Sequence, residues 1–231
     1  MEDAVVSQGI AGEIIHLNPT KSIEYCLSDA HQKGYQTVVA VGDPKLVNKV
    51  AARLLRFDMV LGIIPLGEHL ALLEKIGVSN WEEAIVALRQ RRWQHAPLGH
   101  INNSNLFLTK AILDVSGRGE ITVITADYQA KLTPATVTIN TRTTANNEHQ
   151  VVVRCEVVLQ QKTGFGGWWQ RFKHHDLPLS VSEFSADTLR LTSPEPINLI
   201  IDRTTIARTP IEFSVIPKAL RLIVKKNPNI K

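Results

Sequence analysis

Cysteine is nearly absent from this chain. Only Cys26 and Cys155 occur in 231 residues, and both fall in apolar periodic segments. No disulfide framework can organise the fold, and a reducing cytoplasm is the expected compartment. Long apolar runs are also missing: none approaches the roughly 20 residues of a membrane-spanning helix. The opening MEDAVVSQGI is acidic and lacks the basic and apolar regions of a secretion signal. Neither sign of charge dominates. The net charge of +4 is compatible with an anionic partner but far below the charge density of a nucleic-acid-binding protein. There is no Walker loop, no nucleophile elbow, no Cys/His dyad and no repeat. His174-His175-Asp176 carries metal-capable atoms, but adjacent residues rarely converge on one ion and no Cys or His lies at ligand spacing, so no metal site is expected.

What remains is an ordinary globular composition, 44% hydrophobic and 21% charged, long enough for one large domain or two small ones. The most informative stretch runs from Gln36 to Ile76. Thr37-Val38-Val39-Ala40-Val41 is a short β-branched run that stops at Gly42-Asp43-Pro44-Lys45. Leu46, Val50, Ala51 and Leu54 continue at helical spacing. Val60-Leu61-Gly62-Ile63-Ile64 is a second apolar run, stopping at Pro65-Leu66-Gly67-Glu68-His69, and another helical pattern follows to Gly77. Near-continuous apolar strands alternating with helices imply a parallel sheet covered on both faces. Ligands of such sheets sit in the crevice at the carboxyl ends of the strands, where both turns lie.

Upstream, residues 1–10 read as a loose lead-in and Gly12 to His16 as a short strand. Thr20 is a plausible cap for a helix whose buried face is Ile23, Cys26, Leu27 and Ala30, with Gly34 at its end. Downstream, Ser79-Asn80-Trp81-Glu82 has capping-box spacing, with Ser79 at the cap. The helix it opens ends in the basic cluster Arg89, Arg91 and Arg92, which suits a helix's negative pole without any binding role. After Trp93 helical spacing disappears. Strand-like runs cover 106–113, 121–126, 135–140, 150–160, 179–181, 188–192, 197–201, 211–215 and 220–224. Many short strands without helices indicate a sandwich or barrel. We divide the chain into an α/β domain, residues 1–95, and a β-rich domain, residues 96–231, with residues 211–224 expected to return to the first.

In this order the motifs resemble the diacylglycerol kinase catalytic-domain family, bacterial lipid kinases that share a fold with NAD kinases. In that family one strand runs into Gly-Gly-Asp-Gly-Thr and the next into Pro-x-Gly-Thr-x-Asn. A β-rich domain follows, with Asp-Gly-Glu near its end. Here the counterparts are Val41-Gly42-Asp43-Pro44-Lys45, Pro65-Leu66-Gly67-Glu68-His69 and Asp202-Arg203-Thr204, then Ile216-Pro217-Lys218-Ala219-Leu220-Arg221-Leu222-Ile223-Val224. The family's first strand–helix unit, with its Asn-Pro-x-Ser-Gly turn, has no counterpart, because Asn18-Pro19-Thr20 stands too close to the first Gly turn. The resemblance implies a Rossmann-like sheet domain followed by a β-sandwich-like domain. It implies ATP and Mg²⁺ between them, bound by Gly42, Asp43, Lys45, Pro65, Gly67 and Glu68. Asp202 would take the proton from a lipid hydroxyl.

The departures carry physical consequences. Pro44 removes an amide and fixes φ where the family has a permissive glycine. Asp43 and Pro44 also read as a helix N-cap followed by proline at the first helical position. Glu68 stands where the family's hydroxyl would face phosphate. A carboxylate about 4 Å from a phosphate charge costs roughly 4 kcal/mol at an effective dielectric near 20, about hundreds-fold in affinity. A bridging Mg²⁺ would reverse that sign, and a plain helix start would explain Glu68 equally. The family's Asp-Leu-Gly ahead of the second domain is Pro97-Leu98-Gly99 here. Kinase activity is therefore expected to be lost or altered, which leaves a non-catalytic lipid- or membrane-binding relative as the alternative.

The most unusual local composition is Gly164-Phe165-Gly166-Gly167-Trp168-Trp169-Gln170-Arg171-Phe172-Lys173. Three uses fit it: a hairpin tip folding its own aromatics inward, a membrane contact through Trp168, Trp169, Arg171 and Lys173, and a stacking platform for single-stranded nucleic acid. The lipid-kinase resemblance favours an anionic membrane over nucleic acid.

Overall fold

A computed structural model describes residues 2–18, 21–67, 69–115, 119–144, 148–158 and 179–225. The loop from Gly164 to Lys173, with Trp168, Trp169 and Arg171, lies outside the described residues, as do Glu68 and His174-His175-Asp176.

The N-terminal part alternates helices and strands. α1 (Glu2–Ser7) and α2 (Ile23–Gln32) precede β1 (Thr37–Gly42), α3 (Pro44–Leu54), β2 (Val60–Pro65), α4 (Leu70–Ile76) and α5 (Trp81–Gln90). Residues 1–10, read as a lead-in, thus hold a helical turn. The strand expected at residues 12–16 is absent, and this segment forms no ladder. The cap of α2 is Ser22, whose hydroxyl accepts from the Tyr25 amide at 3.1 Å, not Thr20. The cap of α5 is Asn80, one residue later than expected. Its side chain accepts the Glu83 amide at 2.8 Å while Glu83 reaches back to the Ser79 amide at 2.9 Å. An asparagine offers the same short acceptor as serine, and Glu83 rather than Glu82 closes the reciprocal pair.

The C-terminal part is all strand: β3 (Trp93–Ile101), β4 (Asn105–Phe107), β5 (Ala111–Leu113), β6 (Ile121–Ile124), β7 (Gln129–Leu132), β8 (Thr136–Thr143), β9 (His149–Val158), β10 (Leu179–Ala186), β11 (Thr188–Thr192), β12 (Asn198–Ile201), β13 (Thr204–Arg208) and β14 (Ile211–Ile223). One sheet runs β1-β2-β14-β11-β6-β7, with β3 on β14 and β4 on β3. The other runs β10-β9-β8-β5-β12-β13. Parallel pairing joins β1 to β2 and β2 to β14; every other ladder is antiparallel.

β14 sits at the joint. Its last turn of residues, Arg221 and Leu222, pairs with Val60 and Leu61 of β2, and its first, Phe213 to Ile216, pairs with β3. Where two strands were expected at 211–215 and 220–224, one long strand runs through with a register shift between Ile216 and Leu220. Pro97 of β3 falls opposite that shift, so its missing N–H interrupts no regular pairing. Two hydrophobic cores follow from this arrangement. The first packs α3, α4 and α5 onto β2, with Val47, Leu54, Leu61, Leu72 and Leu222 buried. The second lies between the antiparallel strands, with Phe107, Val123, Val153, Leu199 and Phe213 buried. Both cysteines are free, and burial pushes the Cys155 thiol up to about 11, which keeps it protonated and inert.

Candidate functional site

Four segments meet at the carboxyl ends of β1 and β2. The last residues of those strands, Gly42 and Pro65, are register partners, and the Leu66 amide donates to the Gly42 carbonyl at 3.0 Å. The two glycine turns therefore lie side by side. Gly42 has φ +157°, a backbone conformation that favours glycine, and a Cβ there would come within 2.8 Å of Leu46 Cδ2, so the leucine's tip would have to move.

The first turn is a helix cap in every detail. Asp43 is extended at φ −82° and ψ 169°, its carboxylate accepts the Leu46 amide at 2.9 Å, and Pro44 opens α3. The Val47 amide donates to the Asp43 carbonyl at 3.1 Å. Pro44 has no amide to give. Of the four amide positions that this helix start could aim at an anion, residues 43–46, Pro44 has none and that of Leu46 is taken by the Asp43 carboxylate, which leaves those of Asp43 and Lys45 without a partner among the described residues. The Lys45 side chain is exposed.

The second turn bends at Gly67, φ +90°, where the His69 amide donates to the Gly67 carbonyl at 3.0 Å. His69 caps α4 without a side-chain hydrogen bond.

Opposite them stands Asp202, the first of two residues between β12 and β13. Asp202 and Arg203 take φ +51° and +63°, the left-handed pair of a two-residue hairpin. Asp202 is half-buried and lies against α3. The reason is Asn48, buried on α3. Its amide group donates to Asp202 Oδ2 at 2.6 Å and to Thr109 Oγ1 at 3.0 Å. Its carbonyl oxygen accepts the amides of Leu108 at 2.7 Å and Thr109 at 3.3 Å. Burial pushes the Asp202 carboxyl up, aided by nearby Asp43 and opposed by the Asn48 hydrogen bond and by His69 and Lys45. The structure thus brings the turn from Gly42 to Lys45, His69 and Asp202 within electrostatic reach of one another. A cleft of about 220 Å³ runs beneath them, lined by Pro44, Ala71, Thr109, Ile112, Ile200 and Asp202 among others.

Asn48 and Thr109 were missed by motif reading. The available signal was one polar side chain among Val47, Val50, Ala51 and Leu54 on the buried side of α3. Pro97-Leu98-Gly99 lies in β3 and is buried. Gly99 faces Phe107, whose ring stands 2.1 Å from where a Cβ would sit. That segment is packing, with no reactive group. Among the described residues no three His, Cys, Asp or Glu side chains cluster as a metal site would, and no helix is long and apolar enough to cross a membrane.

The model of the diacylglycerol kinase catalytic domain matches residues 1–101 of this chain, the segment holding both glycine turns, Asn48 and the start of the β-rich part. No curated protein matches it. Among solved structures, a diacylglycerol kinase from Bacillus anthracis strain Sterne superposes with a TM-score of 0.70 at 12% identity, covering 99% of this chain and 89% of that one. Two further structures from the same organism superpose at 0.70 and 0.68, again at 12% identity, covering 98% and 97% of this chain and 90% of each of theirs. The fold is therefore that of the diacylglycerol kinases: a mixed α/β sheet continued by a second, antiparallel sheet.

Proposed function

We propose that this chain is a divergent lipid-kinase relative that has kept the acceptor side of its crevice and given up tight binding of ATP. The match over residues 1–101 and the shared fold support a place among lipid kinases. One observation carries the rest: the turn that would cradle phosphates has two of its four amide positions closed, one by Pro44 and one by the Asp43 carboxylate that caps Leu46. Phosphoryl transfer is almost wholly positioning and charge stabilisation, so an enzyme without those donors contributes little to the reaction. ATP with Mg²⁺ does not fit the described donor set. Asp202 is different. Half-buried, with its carboxyl pushed up and Oδ2 fixed by Asn48, it suits a group that accepts a hydrogen bond from an alcohol. Ile112, Ile200 and Ala71 give the cleft the apolar walls an acyl chain needs. The partner is a hydroxyl-bearing lipid at an anionic membrane surface, and the protein acts by binding it.

A thermal-shift titration tests this reading. With ATP–Mg²⁺ at about 1 mM the melting temperature is expected to move by less than about 2 °C, since a ligand at or below its Kd stabilises little. Diacylglycerol vesicles are expected to retain the protein in flotation. A saturable, Mg²⁺-dependent shift with ATP, accompanied by phosphorylation of diacylglycerol, would overturn it.

A further inference from the structure

A second cleft lies away from the crevice. It measures about 360 Å³ and lies at the opposite, amino-terminal end of the parallel strands, against Met59 and Asp58 just ahead of β2. α3 spans the distance between the two. Pro44 and Asn48 serve the crevice, and Leu54 at its far end lines this second cleft. Eleven helical residues put the two sites about 16 Å apart.

The floor is apolar, formed by Leu54, Phe57, Met59 and Leu220. The rim is aromatic and cationic. Trp93 stays 46% exposed, a large apolar surface left to solvent. His95 meets its ring edge-on at 5.4 Å, and the Arg221 guanidinium lies 5.6 Å over it while also pairing with Asp58. Lys218 stands at the mouth, carried there by the irregular stretch of β14 at φ +49°, a conformation that lysine adopts only under constraint. Neither Lys218 nor His95 has a carboxylate or hydrogen-bond partner among the described residues. Behind them is His149. Its Nδ1 is 2.9 Å from Thr143 Oγ1, and its Nε2 is buried without any hydrogen-bond partner. Burial, then Lys218 and His95, hold its pKa below the usual histidine range. Lys218 and His95 therefore stand at one mouth, and Asp58, the only acid among the described residues lining the cleft, is already paired with Arg221. Basic groups gathered without a free counter-charge favour an anion that joins them.

We propose that this cleft binds a phosphate ester carried on an apolar chain, with Lys218 and His95 on the phosphate and Trp93, Phe57 and Leu54 on the chain. The charge complementarity selects an anion, and the apolar floor and exposed indole select an amphiphile over a free ion. The site does not depend on how the crevice works.

Calorimetric titration of the full chain with hexyl phosphate, inorganic phosphate and hexanol provides the test. Hexyl phosphate is expected to bind at least about tenfold more tightly than either of the others, and Lys218→Gln and His95→Gln each to weaken it about tenfold, the loss of one charge-assisted contact. Asp202→Asn, at the other end of α3, leaves it unchanged, and Trp93→Phe removes the fluorescence change that binding produces. Lys218 and His95 are exposed, and the melting temperature of each variant confirms folding. Flotation with phosphatidylcholine vesicles, with and without phosphatidate, separates the sources: Lys218-dependent flotation means a membrane-borne ester, and hexyl phosphate binding without flotation means a soluble one. Equal affinity for inorganic and hexyl phosphate, binding indifferent to Lys218 and His95, or binding lost in Asp202→Asn would each overturn the proposal.

Discussion

Every polar atom of Asn48 is committed to a neighbour. One amide group holds the acidic residue of the hairpin, a threonine hydroxyl and two backbone amides at once. Truncating it leaves the Leu108 amide buried without an acceptor, which costs the full desolvation of that group and not merely a hydrogen bond. Asn48→Ala is expected to destabilise the fold by about 2–4 kcal/mol in urea unfolding. It also removes the contact that opposes burial at Asp202. The carboxyl pKa, followed by NMR, should then rise further; an unmoved value would mean that Asn48 plays no part in tuning that group. Asn48 was invisible to motif reading because its partners are 61 and 154 residues away in sequence.

At the scale of elements, the same side chain explains a misread strand. Residues 106–113 look like one strand-like apolar run, yet the structure divides them into β4 and β5. The amides of Leu108 and Thr109 are taken by Asn48, so they cannot enter a ladder. The run at 211–224 shows the reverse: Pro217 suggests a break, but β14 passes through it because the partner strand also carries a proline, Pro97, at the irregular step. β7 and β13 went unread since their exposed, weakly apolar sequences gain strand structure only by pairing. The hairpin from β12 to β13 yields a prediction of sign. Arg203 holds φ +63° with no side-chain hydrogen bond or ion pair among the described residues, and a left-handed conformation costs a non-glycine residue about 1 kcal/mol or more. Arg203→Gly should raise stability by about 0.5–1 kcal/mol, after the entropy that glycine adds to the unfolded chain. A lower melting temperature would show that the arginine has a role in holding the turn.

For the molecule as a whole, the joint between its two layers carries an unpaired charge. Lys75 on α4 is partly buried and, among the described residues, reaches only Thr141 of β8, at 3.4 Å. Burial lowers its pKa from the ordinary 10.5 to about 8. Between those values the unfolded chain binds the extra proton, so stability rises as pH increases from about 8 towards 10.5, by at most about 3 kcal/mol. Lys75→Met should raise stability at neutral pH and remove that dependence; urea midpoints of both proteins at neutral and alkaline pH decide it. Apolar alternation, the two glycine turns and the order of motifs were legible in the sequence, since strand and helix periodicity and cap chemistry act over a few residues. They established the α/β-then-β architecture and the likeness to diacylglycerol kinases, as well as Asp43 and Pro44 as the cap and first residue of α3. Only the tertiary structure joined Asp202 to Asn48, ran β14 from the parallel into the antiparallel part of one sheet, buried Lys75 and built the basic cleft at the far end of α3. Those features depend on pairing and burial between residues distant in the chain, and local pattern carries no record of which distant residue will supply the partner or the low dielectric.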